Sequence, residues 1–195
     1  MFHKGLSRDI IVDAAKDLIE NIGPGEFSMR RLADKLKVKT ASLYTHVASM
    51  EALFTEIGLS VLKQQRECLL DAVNEKKGDV AVVALADSYR CFALEHAELY
   101  KLIMQMPSGN DEVLQEAAAM TAEPFMRVLS FYRIKEERKM HWQRVLRGMM
   151  HGFASEVEAG YFSHYPVSVE ESYKTAVACV IDGLHKEEES ENYGL

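Results

Sequence analysis

Proline and glycine are scarce in this chain of 195 residues, with four Pro and eleven Gly. That scarcity excludes collagen-like, linker-rich and low-complexity readings, which are built on those residues. Cysteine is scarcer still: Cys68, Cys91 and Cys179 are widely spaced and form no C-x-x-C pair. An odd, scattered set argues against a disulfide frame or a zinc site and fits buried thiols in a reducing, cytoplasmic compartment. No apolar run approaches the roughly 18 residues of a membrane span. The opening MFHKGLSRDI is too polar and acidic for a secretory signal. No stretch alternates apolar and polar residues as a half-buried strand does, and no internal repeat is visible. Phosphate-loop and nucleophile-elbow patterns are missing. None of the seven His has a Glu three residues before it, as a di-iron bundle needs; Asp182 before His185 is the nearest approach. No catalytic residue, metal site or cofactor is therefore expected. A small helical metal or ligand carrier, or an enzyme, that does not bind DNA stands as the alternative reading.

What is present is an ordinary globular composition, 48% hydrophobic and 27% charged, in a chain long enough to bury a core without staples. The net charge is −7, which taken alone argues against nucleic acid, because affinity for phosphate is mostly Lys and Arg contact. The distribution says otherwise. Residues 1–50 carry eight Lys and Arg against six Asp and Glu, a surplus of +2, and the remainder carries −9. Five of those eight cations fall between Arg30 and Lys39, with only Asp34 among them. The chain is an acidic body with a small basic head.

Apolar residues recur at helical spacing almost throughout, which predicts an all-α fold of about nine helices. Ser7 caps a first helix whose stripe runs from Ile10 and Ile11 to Ile22, stopped by Gly23-Pro24-Gly25. Ser28 caps a short helix to Leu36, and after a three-residue break a third spans about 40–46. Ser49 caps a long helix to about residue 74. Asp79 caps the next, through about 96, and a short piece covers 99–104. A loop is expected at 106–110, then helix over 111–132 interrupted by Pro124. A long helix covers 135–159. A capping box, Ser168 to Glu171, opens the last, to about 185, before a polar, frayed tail.

Two short helices around a tight turn, behind a supporting first helix, suggest a helix-turn-helix. The second of the pair must offer small and polar groups so that its backbone can approach a major groove. Here it offers Lys39, Thr40, Ala41, Ser42, Tyr44, Thr45 and His46, while Leu43 and Val47, four residues apart, face the core.

Residues 7–55 resemble the N-terminal domain of the TetR (tetracycline-repressor-like) family of bacterial transcription regulators. The resemblance is carried by Phe27-Ser28-Met29-Arg30-Arg31-Leu32-Ala33, Leu36-Lys37-Val38, Ser42-Leu43-Tyr44-Thr45-His46-Val47 and Ser49-Met50-Glu51-Ala52-Leu53. It implies a double-stranded DNA operator as partner and a DNA-binding set of Ser28, Arg30, Lys39, Thr40, Ser42, Tyr44 and His46. Ser28, Tyr44 and His46 would meet phosphates, and Thr40 and Ser42 bases or adjacent phosphates. Two positions depart from the family: Met50 stands where a phosphate-reaching Lys is common, and Lys39 where a capping Ser or Thr is common. Lys35 and Lys37 read as general electrostatic footprint, and Arg31 as the partner of a nearby acid.

The resemblance further implies residues 1–50 as the DNA-binding domain and 51–195 as an effector-binding and dimerisation body. Met and aromatic residues crowd the body, and Tyr89, Phe92, Met104, Met120, Phe125, Trp142, Met149 and His151 are candidate pocket residues for a small apolar effector. The same residues would equally serve as the core of a helical bundle, and His151 as a satisfied core histidine. Gly148 to Phe153, with His96 to Tyr100, resembles a C-terminal subtype named for a Trp-His-Gly motif, although Met150 takes the Trp position. The last two helices should pair in a homodimer, through Val145, Gly148 and Gly152 on one and Tyr173, Val177, Val180, Ile181 and Leu184 on the other. The expected function is a homodimeric repressor, released from a palindromic operator by a small molecule.

Overall fold

A computed structural model describes residues 5–106, 112–164 and 166–193. Among these residues there are ten α-helices, two short 3-10 helices and no strand. The expected loop at 106–110 lies, beyond Met106, outside the described residues, as do Asp111 and the last two residues of the tail. The chain forms two compact units, the first from Met1–Gln64 with His96–Ala118 and the second from Gln65–Glu95 with Ala119–Leu195.

In the first unit, α1 (Arg8–Ile22) begins at Ser7, whose hydroxyl accepts from the Ile10 N–H. It ends at Gly23, where φ is +76°, a conformation that favours glycine. A 3-10 turn, Pro24–Glu26, leads to α2 (Met29–Leu36), capped by Ser28 accepting from the Arg31 N–H at 3.2 Å. Lys37 ends α2 in the left-handed region at φ 56°, and Val38 N–H reaches back to the Ala33 carbonyl at 3.0 Å. This closes the helix as a glycine would, at the cost of placing a Cβ in a disfavoured basin. Helix α3 covers only Thr40–Leu43, shorter than the 40–46 expected. The hydroxyl of Thr45 donates to the Ser42 carbonyl at 2.7 Å, and residues 44–46 continue as a turn. Helix α1 packs against α2 and against α6 (Ala97–Gln105), and Ile11, Ala15, Ile19, Leu32 and Leu43 are fully buried or nearly so.

Helix α4 (Met50–Ala72) opens as expected with Ser49 accepting from Ala52 N–H at 3.0 Å. The second unit is built mainly from α5 (Gly78–Glu95), α8 (Glu123–Leu129), α9 (Glu136–Glu158) and α10 (Val169–Tyr193), mutually packed. Pro124 interrupts the expected helix over 111–132 outright: α7 (Glu112–Met120) stops, and α8 starts with Pro124 in its first turn, where a missing N–H costs nothing. That division brings the helix count to ten.

Several expectations are corrected. Asp79 lies inside the first turn of α5, and its carboxylate serves long-range partners instead of a cap, accepting from Tyr132 at 2.7 Å and from His185 at 3.0 Å. Helix α10 runs eight residues past 185, to Tyr193. The three cysteines are exposed, so the buried-thiol reading fails. The apolar stripe of α10, expected to meet a partner subunit, is turned inward: Tyr173, Val177, Val180 and Leu184 are buried within one protomer, and Tyr173 donates to the Ala86 carbonyl at 2.7 Å. Both a self-packed and a partner-packed helix carry such a stripe, and here α5 and α9 take it.

Candidate nucleic-acid interface

Helix α3 is anchored from behind by Leu43 and Val47, at 0% and 2% exposure. With that side fixed, the other residues of the segment face outward. Lys39 occupies the N-cap position but makes no capping bond, and its side chain is exposed. Thr40 and Ser42 are half-buried, while Tyr44 and His46 are exposed. Tyr44 is 49% exposed and is not packed away between helices. Arg30 is exposed on α2, and the Ser28 hydroxyl, having accepted from Arg31 N–H, keeps its own proton to donate.

The neighbouring cations sort differently. Arg31 donates to the Glu26 carbonyl at 2.9 Å and pairs with its carboxylate at 3.1 Å, which matches the expected nearby acid. Lys35 is held by Asp17 of α1, so it is a tie between helices more than open footprint. That lysine holds the Asp17 carboxyl below its ordinary range, first through the hydrogen bond and then through its charge. Met50 is 43% exposed and offers no donor.

Behind the interface, α1 is joined to α4 and α6 by a polar chain that was not anticipated. Lys16 donates to Ser60 at 3.2 Å and to Gln64 Oε1 at 3.0 Å. The Gln64 amide nitrogen stands 3.4 Å from His96 Nε2, and His96 Nδ1 stands 2.7 Å from Glu20. One assignment satisfies every member: Nδ1–H donates to Glu20, and Nε2 accepts from Gln64. The N-terminus of α6 also abuts the end of α1, where a Cβ added at Gly23 would lie 3.0 Å from a Glu98 carboxylate oxygen.

The candidate pocket residues divide. Tyr89, Phe92 and Phe125 are buried together in the second unit, with Tyr89 edge-on to Phe125 at 6.2 Å between centroids. Met149 and His151 are half-buried on α9. Trp142 packs on Gly183 of α10, so close that an added Cβ would lie 2.5 Å from the ring. Met104, in the first unit, and Met120 are about half exposed and line no interior. Buried Gln65, Thr121, Lys139 and Gln143, with half-buried Arg147, were missed. Their signal is in the sequence: Lys139, Gln143, Arg147 and His151 recur at every fourth residue, one line along a helix.

No helix among the described residues is long and apolar enough to cross a membrane. Two family models match the chain. The one described as bacterial regulatory proteins, tetR family, covers residues 11–57, and the one described as Tetracyclin repressor-like, C-terminal domain, covers residues 82–180. An uncharacterized HTH-type transcriptional regulator of Bacillus subtilis, YobS, is 26% identical over 181 residues, or 92% of this chain and 93% of that protein. Another uncharacterized HTH-type transcriptional regulator, from Mycobacterium tuberculosis, is 31% identical over 149 residues, covering 76% of this chain and 68% of that one. A solved structure of a protein of unknown function from Rhodococcus sp. RHA1 superposes with a TM-score of 0.80 at 25% identity, over 93% of this chain and 97% of that one. With both family models matched and a regulator 31% identical over most of its length, the chain belongs to the tetR family and is a DNA-binding transcriptional regulator, not an enzyme.

Proposed function

We propose that this regulator is a homodimeric repressor that holds a palindromic operator through Ser28, Arg30, Lys39, Thr40, Ser42, Tyr44 and His46 and lets it go when a small molecule enters its body. The observation that carries this reading is the outward row Lys39, Thr40, Ser42, Tyr44, His46 on a segment pinned by Leu43 and Val47. DNA reading belongs to residues 1–50, and effector binding and dimerisation to 51–195. A place in the bacterial cytoplasm follows from the operator as partner.

The dimer reading now rests on α9. Val145 is exposed, and a Cβ built on Gly148 or Gly152 meets no other element of the described residues within 4 Å. That open, small-residue side suits a second copy. Ile181, half-buried on α10, is the remaining member of the expected set that keeps surface for it. Two copies are needed physically, because recognition helices must reach successive major grooves about 34–36 Å apart. An effector that prefers another separation of the heads shifts the population, with a typical coupling of about 5–150-fold in affinity. The Trp-His-Gly subtype is supported by His151-Gly152 and by His96 to Tyr100, with Met150 buried in place of the Trp.

A gel shift with the DNA beside the protein's own gene tests the proposal. Specific retardation by a dimer is expected. Folded, dimeric protein that retards no fragment specifically would overturn it.

A further inference from the structure

The turn that leads into α3 keeps a lysine where the backbone favours glycine. Lys37 ends α2 at φ 56° and ψ 40°, in the left-handed basin, where a Cβ is crowded and glycine is not. Its N–H is directed at the Ala33 and Asp34 carbonyls, and the N–H of Val38 also reaches Ala33. Glycine would close α2 by the same bonds without the steric cost. The lysine side chain adds no contact in exchange. It is exposed, and among the described residues its ammonium has no hydrogen bond or ion pair.

The cations before it on the same helix are occupied. Arg31 is paired with Glu26 at 3.1 Å, and Lys35 with Asp17. Lys37 and Lys39 instead flank half-buried Val38, and both are exposed. They stand at the entrance to α3, directly ahead of Thr40, Ser42, Tyr44 and His46. Positive φ alone does not make a site. Glu75, in the second unit, shares that backbone at φ 60°, and its carboxylate would repel phosphate. At Lys37 the same strain holds a spare cation beside the reading segment. A local rule broken with no gain to the fold marks a position kept for function. An ammonium with three donors and no acceptor suits an anionic oxygen, and the anion a helix-turn-helix meets is phosphate.

We propose that Lys37 is a further DNA-binding residue, its ammonium paired directly with one backbone phosphate of each operator half-site. This rests on the reading of residues 1–50 as the operator-binding part, and it replaces the general electrostatic footprint expected for Lys37. The contact fixes the position of the helix-turn-helix on the duplex and reads no base. It also sets stability against binding at one residue: the side chain that strains the turn is the side chain that holds the phosphate.

The test uses the full-length protein and a duplex from the DNA beside its own gene. Affinity is read by fluorescence anisotropy at several salt concentrations, and stability by thermal melting. Lys37→Gly should raise the melting temperature by about 2–4 °C. The same variant should weaken operator binding by about tenfold and reduce the salt slope by about 1 for each half-site. Lys37→Gln keeps a Cβ and removes the charge, so it should lose the same affinity with no rise in melting temperature. Glu75→Gly should melt higher and bind as the wild type does. Methylphosphonate placed at each phosphate in turn should reveal a position that weakens the wild type and not Lys37→Gly. Unchanged affinity in Lys37→Gly or Lys37→Gln, a lower melting temperature in Lys37→Gly, an equal loss of binding in Glu75→Gly, or equal sensitivity of wild type and Lys37→Gly at every phosphate overturns the proposal. Folded wild type that binds no duplex overturns the regulator reading and this proposal with it; wild type that binds, with Lys37 variants that bind as well, overturns this proposal alone.

Discussion

At the scale of single residues, the side chains proposed to meet DNA are separable from those that hold the helix-turn-helix together. Tyr44 is half exposed and its neighbour Leu43 is fully buried. Tyr44→Phe should therefore weaken operator binding by about tenfold, the worth of one hydrogen bond to a charged phosphate, with no change in melting temperature; fluorescence anisotropy and circular dichroism give the two readings. Leu43→Ala should do the reverse first, costing about 2–5 kcal/mol of stability. Gly23→Ala tests the joint between α1 and α6. With φ at +76° and a carboxylate oxygen 3.0 Å from the new Cβ, it should destabilise by more than about 1 kcal/mol in a urea titration. The helix caps at Ser7, Ser28 and Ser49 were legible in the sequence because a cap is a local bond, closed within three residues. Asp79 was not, because its partners Tyr132 and His185 lie more than fifty residues away. Gln65 and Arg147 were not legible for a related reason: apolar periodicity marks the buried face of a helix, and a polar residue on that face carries no mark until the helices are assembled.

At the scale of elements, α10 is latched to the start of α5 by titratable groups. His185 is raised above its ordinary 6.5 by its hydrogen bond to Asp79, against partial burial, with help from the charges of Asp79 and Glu188. Asp79 falls below its ordinary 3.8: burial opposes ionisation, but the bonds from His185 and Tyr132 and the charge of His185 outweigh it. The Tyr132 hydroxyl is pushed up by burial and by Asp79, so it remains a donor throughout the ordinary range. A raised histidine contributes fully below 6.5 and loses its contribution as pH rises through its folded value; a lowered carboxylate contributes above 3.8 and loses it as pH falls. The latch is thus strongest between these limits. His185→Gln should lower the melting temperature more at about pH 6 than at about pH 8.5, and an equal loss at both would remove the ion pair from the account. The same helix was placed correctly in the sequence but faced wrongly, since its stripe of Tyr173, Val177, Val180 and Leu184 satisfies a neighbour of the same chain as readily as a partner's helix.

For the whole molecule, the sum of charges concealed the function and their distribution disclosed it. With residues 1–50 at +2 and the remainder at −9, the charge favours approach of DNA at the basic segment, which should suppress non-specific binding. Lys39→Ala should weaken binding to every sequence alike and reduce the salt slope by about 1 for each half-site, as a titration at several salt concentrations would show. Dimerisation through the open side of α9 is tested by Gly148→Arg. Among the described residues, apart from its neighbours and its own helix backbone, none lies within 4 Å of a Cβ built there, so helicity should persist while sedimentation reports a monomer and operator binding is lost. The composition of the first unit has one more consequence, which concerns the order in which the protein is made. That unit draws on α6, which is encoded beyond residue 95, and Glu20 and Lys16 finish their polar chain only through His96 and Gln64. A ribosome that has released the helix-turn-helix has not yet supplied the helix that packs behind it. A nascent or prematurely terminated chain that ends before α6 therefore carries the helix-turn-helix on an unfinished scaffold.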